Sequence, residues 1–257
     1  MASVPGGNGL PVLYNDLQPL SWLDHGDWRT RRSGNATFLA KTHAVPLTID
    51  EFMTAQRFYP IVFSSGENPV PLALMGLNEG INTVLDTEGK LIGEPYIPAY
   101  ARRYPFLLAK LREDAQELSL CFDPTAEAIG LFDDGDALFE PAGEGGERKP
   151  TQIVTDILKF CEEFEQSGAR TTAFVGELVE HKLLMEGEIS IQADGIEAPF
   201  IYRGFQMVNE EVLRDLRGDV LRKMMQSGLL PLVFAHLFSL ALARDIFSKQ
   251  VAQGKME

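Results

Sequence analysis

The chain has 257 residues, 45% of them apolar and 23% charged, which is the composition of a soluble globular protein with length enough for a sizeable core. Its formal net charge is −14 and its pI about 4.8, so phosphate backbones are repelled, and neither nucleic acid nor an anionic membrane is an expected partner. The two cysteines, Cys121 and Cys161, form no CxxC pair and read as buried thiols of a reducing compartment rather than as a disulfide.

Residues 1–14 are rich in Gly and Pro and are expected to form a flexible leader. They lack the basic and apolar regions of a secretory signal, so the expected location is the cytoplasm unless another route exports the chain. Residues 15–257 are expected to form a single domain, β-rich over 15–125 and helix-rich over 150–257. ATFLAKT (36–42) reads as a first strand. Thr48 with Glu51 forms a capping box that opens a short helix. YPIVFS (59–64) and VPLALMGL (70–77) read as strands, and the second is apolar on both faces, as a strand covered on both sides should be. NTVLDTEGKLI reads as a hairpin turning at Thr87, Glu88 and Gly89. In YIPAYARRYPFLLAKL, Pro98 starts a single helical turn and Pro105 opens a strand that pairs with ELSLCFD (117–123). The four strands 59–64, 70–77, 104–112 and 117–123 are expected in one sheet.

Two stretches thus share one plan: a Pro-started helical turn, a basic–aromatic–Pro junction, then two strands. After residue 125 the character changes. Residues 132–150 are acidic and Gly-rich and read as a surface loop. A helix follows Pro150 with Ile153, Ile157, Phe160, Cys161 and Phe164 on one face, and Gly168 is expected to end or kink it. ISIQ and PFIYRGFQMV read as strands around ADGIEA. Asn209 caps the next helix, Gly228 ends it, and GLLPLVFAHLFSLALA reads as a core helix too short to span a bilayer. The expected fold class is α+β: an antiparallel or mixed sheet in the N-terminal half and helices in the C-terminal half.

The chemistry-bearing residues are sparse. The histidines His25, His43, His181 and His236 include no HxH or HExxH pair, and no metal site is expected. Asp133, Asp134 and Asp136 lack the closing glutamate of a calcium loop. No GxGxxG, P-loop or GxSxG motif is present, and no cofactor is expected. His236, inside an apolar helix, reads either as a satisfied core histidine or as a functional one, and His43 as a strand-end residue or part of a non-contiguous site. Arg102 and Arg103, flanked by Tyr100 and Tyr104, are expected to form a partly exposed recognition surface. Two guanidinium groups beside aromatic rings suit a carboxylate or a peptide. The alternative is that the arginines pair with acids of this acidic chain.

YIPAYARRYPFLLA, VPLTIDEFMTAQRFYPIVF, VPLALMGL and GLLPLVFAHLFSL together resemble the SapC family of bacterial proteins, over roughly residues 15–247. The resemblance implies the fold and a link to surface-layer or cell-envelope biology. It carries over no catalytic residue. Three readings follow: a non-catalytic accessory factor that binds a protein or peptide, an enzyme acting on a peptide or carbohydrate through a non-contiguous site, and a structural surface-layer component.

Overall fold

Two tyrosine hydroxyls tie the N-terminal segment around Val12–Tyr14 to the core. The computed structural model describes residues 9–31, 34–112, 117–143, 146–192 and 199–255. Tyr14 is buried and its hydroxyl donates to the Phe106 carbonyl at 2.8 Å. The Tyr100 hydroxyl donates to the Val12 carbonyl at 2.8 Å. The flexible leader expected over 1–14 is therefore corrected at Val12–Tyr14, which these bonds tie to the core. Residues 1–8 lie outside the described residues.

β1 (Gln18–Pro19) leads into α1 (Trp22–His25), where the Ser21 hydroxyl caps by accepting from the Leu23 N–H. β2 (Arg29–Thr30) follows. ATFLAKT is not a strand: Thr37–Leu39 form a 3-10 turn. The Asn82 amide donates to the Leu39 and Thr42 carbonyls at 3.0 Å each, so this backbone is satisfied without a ladder. β3 (Ala44–Pro46) precedes the capping box, in which the Thr48 N–H and hydroxyl donate to the Glu51 carboxylate at 3.0 and 2.9 Å. The 3-10 turn Ile49–Glu51 runs into α2 (Phe52–Ala55), which buries Phe52 and Ala55. β4 (Ile61–Ser64) and β5 (Pro71–Leu74) are the two expected strands. Gly89, at φ 78°, turns the chain so that Leu85 and Leu91 form a single bridge. α3 (Ala99–Arg102) is the expected helical turn, and β6 (Phe106–Ala109) pairs antiparallel with β7 (Ser119–Phe122).

β8 (Ile129–Gly130) is followed by β9 (Asp136–Ala137), β10 (Phe139–Pro141) and β11 (Arg148–Pro150), so the loop expected over 132–150 contains strands. Buried Leu138 and Phe139 anchor it, a signal its acidic, Gly-rich composition masks. α4 (Gln152–Glu180) is one 29-residue helix that neither ends nor breaks at Gly168. Ser167, Gly168 and Thr171 are buried there because a 3-10 turn comes in close. The Ile49 N–H donates to Thr171 Oγ1 at 3.0 Å, and Ser167 Oγ donates to Asp50 Oδ2 at 2.8 Å. β12 (Leu184–Glu186), β13 (Ile189–Ile191), β14 (Phe200–Tyr202) and β15 (Phe205–Val208) follow, with the expected ADGIEA turn outside the described residues. Asn209 Oδ1 accepts from the Glu211 and Val212 N–H groups and caps α5 (Glu210–Arg214). α6 (Gly218–Gln226) closes at Gly228, φ 79°, and α7 (Leu229–Ser239) and α8 (Ala243–Ala252) end the fold.

The strands are distributed over separate antiparallel sheets. A five-stranded sheet has the order β12-β15-β4-β5-β3, and a three-stranded sheet the order β1-β7-β6. The single sheet expected for β4, β5, β6 and β7 is thus corrected. β1 and β6 flank β7, while β15, from the far end of the chain, takes the free edge of β4. β5 is covered on both faces as expected: Ala73 and Met75 join the main core, and Leu74 and Leu77 pack with Ile246 and Phe247 of α8. A further core cluster holds Phe106, Phe122, Val154 and Cys161 between the three-stranded sheet and the start of α4. The fold is α+β, with small antiparallel sheets in the N-terminal half and helices predominating in the C-terminal half. α7, expected to be a core helix, is buried on one side only: Val233, Ala235 and His236 face inward, while Phe238 is 71% exposed.

Candidate functional site

The site is built from Glu51 outward. Its carboxylate is buried and accepts from Thr48 on the first Pro-started unit. It also accepts from the Tyr96 hydroxyl at 2.9 Å and the Ala99 N–H at 2.6 Å on the second. The Tyr59 hydroxyl donates to the Tyr96 carbonyl at 2.7 Å. These bonds fix the segment 96–103 against the main core, and α3 then distributes its side chains by helical geometry.

Tyr100 and Arg103 point inward. Tyr100 is fully buried, and burial pushes its phenol up to about 12, partly offset by Arg103. The Arg103 side chain is 1% exposed, with its guanidinium carbon 4.6 Å from the Tyr100 ring centroid and 4.2 Å from that of Phe164. It pairs with Glu165 at 3.3 Å. The recognition surface expected from Tyr100, Arg102, Arg103 and Tyr104 is therefore corrected for Tyr100 and Arg103, which are core residues. The acidic partner that sequence left as the alternative exists for Arg103. Tyr104 is half-buried, stacked on Phe38 with centroids 4.6 Å apart and edge-on to Tyr14 at 5.3 Å. Burial, then the nearby Asp123, raises its phenol well above the usual range.

Arg102 points outward. Its Nε donates to the Ile97 carbonyl at 3.0 Å, and its guanidinium lies 5.2 Å from the Phe160 centroid and 5.9 Å from that of Tyr96. It makes no ion pair among the described residues. The guanidinium thus lies beside two aromatic rings with no carboxylate paired to it among the described residues, in a chain of strong negative charge.

Arg102 and Tyr104 stand on the wall of a cleft of about 760 Å³. Phe38, Ile157 and Phe160 give it apolar surface, and Asn15, Thr37 and Thr125 supply polar groups. A second guanidinium, that of Arg31, stands on the same cleft, stacked 3.9 Å from the Phe132 ring centroid and 3.8 Å from the Asp134 carboxylate. Glu127 and Asp136 also line it, so its charge is mixed. A volume in the small-ligand range, apolar walls and a few fixed polar groups are the ordinary features of a binding cleft. No His, Ser or Cys lines it among the described residues.

The two candidate histidines lie elsewhere. His236 is fully buried, with Nε2 accepting from the Val208 N–H at 3.0 Å and Nδ1 donating to the Ile61 carbonyl at 2.7 Å. Burial brings its pKa down to about 4, so the ring is a neutral connector between α7 and two strands. His43 enters β3, and burial lowers its pKa against the opposing field of Glu79. Neither lines the cleft. Sequence reading missed Arg31 and Phe38, which no local pattern marks. Phe160 was visible only as a member of the α4 apolar face.

The SapC family model matches residues 20–246 of the chain. No curated protein and no solved structure matches it.

Proposed function

The chain belongs to the SapC family, and from that premise we propose that it is an accessory binding protein of the cell envelope, acting from the cytoplasmic side on a peptide or protein segment that carries a carboxylate. One observation carries the reading: the Arg102 guanidinium, held over Tyr96 and Phe160 on the wall of the 760 Å³ cleft, has no acidic partner among the described residues. A guanidinium pre-positioned on rings loses little freedom on binding and matches a carboxylate with paired donors. Arg31 offers a second cation, and Phe38, Tyr104 and Phe160 offer surface for an apolar side chain next to the charged group. The envelope setting rests on what the family resemblance implies, and the binding role on the cleft.

The test is equilibrium binding of a peptide array, each peptide made with a free C-terminal carboxylate and again as its amide. Peptides that bind should favour the free acid. Arg102→Ala and Phe160→Ala should each weaken them about tenfold or more, the scale of an anchor residue. An array without binders, or binders indifferent to both substitutions, would show that the cleft has another use.

A further inference from the structure

α7, LLPLVFAHLFS, carries no charged residue, and a helix apolar on every side belongs in a core. Only one side of it has a core. His236 is bonded to Val208 and Ile61, and Ser239 Oγ accepts from the Ile61 N–H at 2.8 Å. On the other side Pro231, Phe234, Phe238 and Ala241 recur at helical spacing and are exposed. Phe234 is 40% and Phe238 71% exposed, and the two rings stack on each other with centroids 5.8 Å apart. α6 packs alongside and adds Met225, 60% exposed.

The charges around this face differ in sign from those of the chain. Between Val220 and Lys255 there are five basic residues and one acid, the exposed Asp245, whereas the whole chain carries −14. Of the five, Lys223 is paired with Glu177 of α4 at 3.7 Å and the Lys255 ammonium donates to the Asn82 and Leu85 carbonyls, which leaves Arg222, Arg244 and Lys249. Arg222 lies one helical turn from Met225, and Arg244 and Lys249 continue beyond α7. All three are exposed and make no ion pair among the described residues. Fields between exposed charges fade over about 10 Å at 0.1 M salt. What approaches this face therefore meets its own cations rather than the average of the molecule.

We propose that the α6–α7 face docks on an anionic lipid bilayer, with Phe234, Phe238 and Met225 entering the headgroup boundary and Arg222, Arg244 and Lys249 meeting lipid phosphates. Exposed aromatic and aliphatic side chains fringed by Arg and Lys are the composition of an interfacial helix. The stretch expected to be too short to span a bilayer is corrected in length: helix continues through Ala252, and Leu229–Ala252 is long and apolar enough to cross by length and composition, at mean hydropathy 1.6. Crossing would strip His236 and Ser239 from their strand partners, so the helix lies in the plane of the interface. A second copy of the chain is the weaker fit, because two such faces would bring like-charged arginines together around the seam.

Flotation of the intact chain with vesicles tests this independently of the cleft. Vesicles of phosphatidylglycerol and phosphatidylethanolamine should bind it and phosphatidylcholine vesicles should not, and raising NaCl from about 0.1 to about 0.5 M should release it. Phe234→Ser with Phe238→Ser should cut binding about tenfold or more. Arg222→Glu with Arg244→Glu, which alters only exposed groups, should cut it at least about fivefold per cation. Arg102→Ala should leave it unchanged. Absence of binding to the anionic vesicles, or binding that neither double variant weakens, would overturn the proposal. So would a concentration-dependent dimer, seen by sedimentation velocity, that the phenylalanine variant abolishes.

Discussion

Arg102 and Arg103 are adjacent, chemically identical, and opposite in role. One helical step turns Arg102 to the cleft and Arg103 into the core, against Tyr100, Phe164 and Glu165. Arg103→Ala removes a desolvated cation from two rings and leaves Glu165 without it. A loss of about 3 kcal/mol is expected, seen as a fall in Tm of roughly 6–12 °C for a chain of this size. Arg102→Ala removes one exposed hydrogen bond and should move Tm by less than about 2 °C. A thermal melt of the two single variants decides this, and equal melting temperatures would show that Arg103 is not a core residue. The sequence marks the pair as unusual but not which member faces inward. That depends on the phase of a four-residue helix, set by the Glu51 contacts to residues 96–99, about 50 positions away in sequence. The cleft is illegible for the same reason. Arg31, Phe38, Arg102 and Phe160 converge through tertiary packing, and none sits in a motif.

At the scale of elements, local chemistry was readable and partnership was not. The Thr48–Glu51 box, the Pro98 helical turn, the strands after Pro60 and Pro105 and the Asn209 cap all follow from residue types within four or five positions. Which sheet each hairpin joins depends on β15 and β1, which lie far off in the chain. Gly168 does not end its helix: it lies buried within α4, between Ser167 and Thr171, which bond to the Ile49–Glu51 turn. The shared plan of the two Pro-started units gains a physical link in Glu51, whose carboxylate satisfies donors on both. Glu51→Ala would orphan the Thr48 and Ala99 N–H groups in a buried place and the Tyr96 hydroxyl in a half-buried one. A cost of at least about 3 kcal/mol is expected. Glu51→Gln keeps the shape but turns a donor toward donors and should fall between. Urea unfolding of the three proteins gives the order, and a Glu51→Ala loss under about 1 kcal/mol would mean that the two units are held by packing alone.

At the scale of the molecule, α4 joins what the sheets separate. Its first turns contribute Val154 and Cys161 to the cluster beside the three-stranded sheet, and its later turns contribute Phe164, Phe174, Val175 and Leu178 to the main core. A helix that belongs to both clusters loses packing in each if either opens, so the two should unfold together. Such joint unfolding is what the single domain expected over 15–257 requires. The thiols report on it. Cys121 lies in β7 and Cys161 in α4, both about 1% exposed, and burial pushes both up to about 11, so neither is an accessible thiolate at neutral pH. Labelling with a thiol reagent in increasing urea should therefore show both cysteines reacting in one transition, coincident with the loss of helix seen by circular dichroism. If Cys121 reacts at lower urea than Cys161, the three-stranded sheet opens by itself. The part of the cleft wall formed by Phe106 and Pro105 would then belong to a unit that moves relative to the main core.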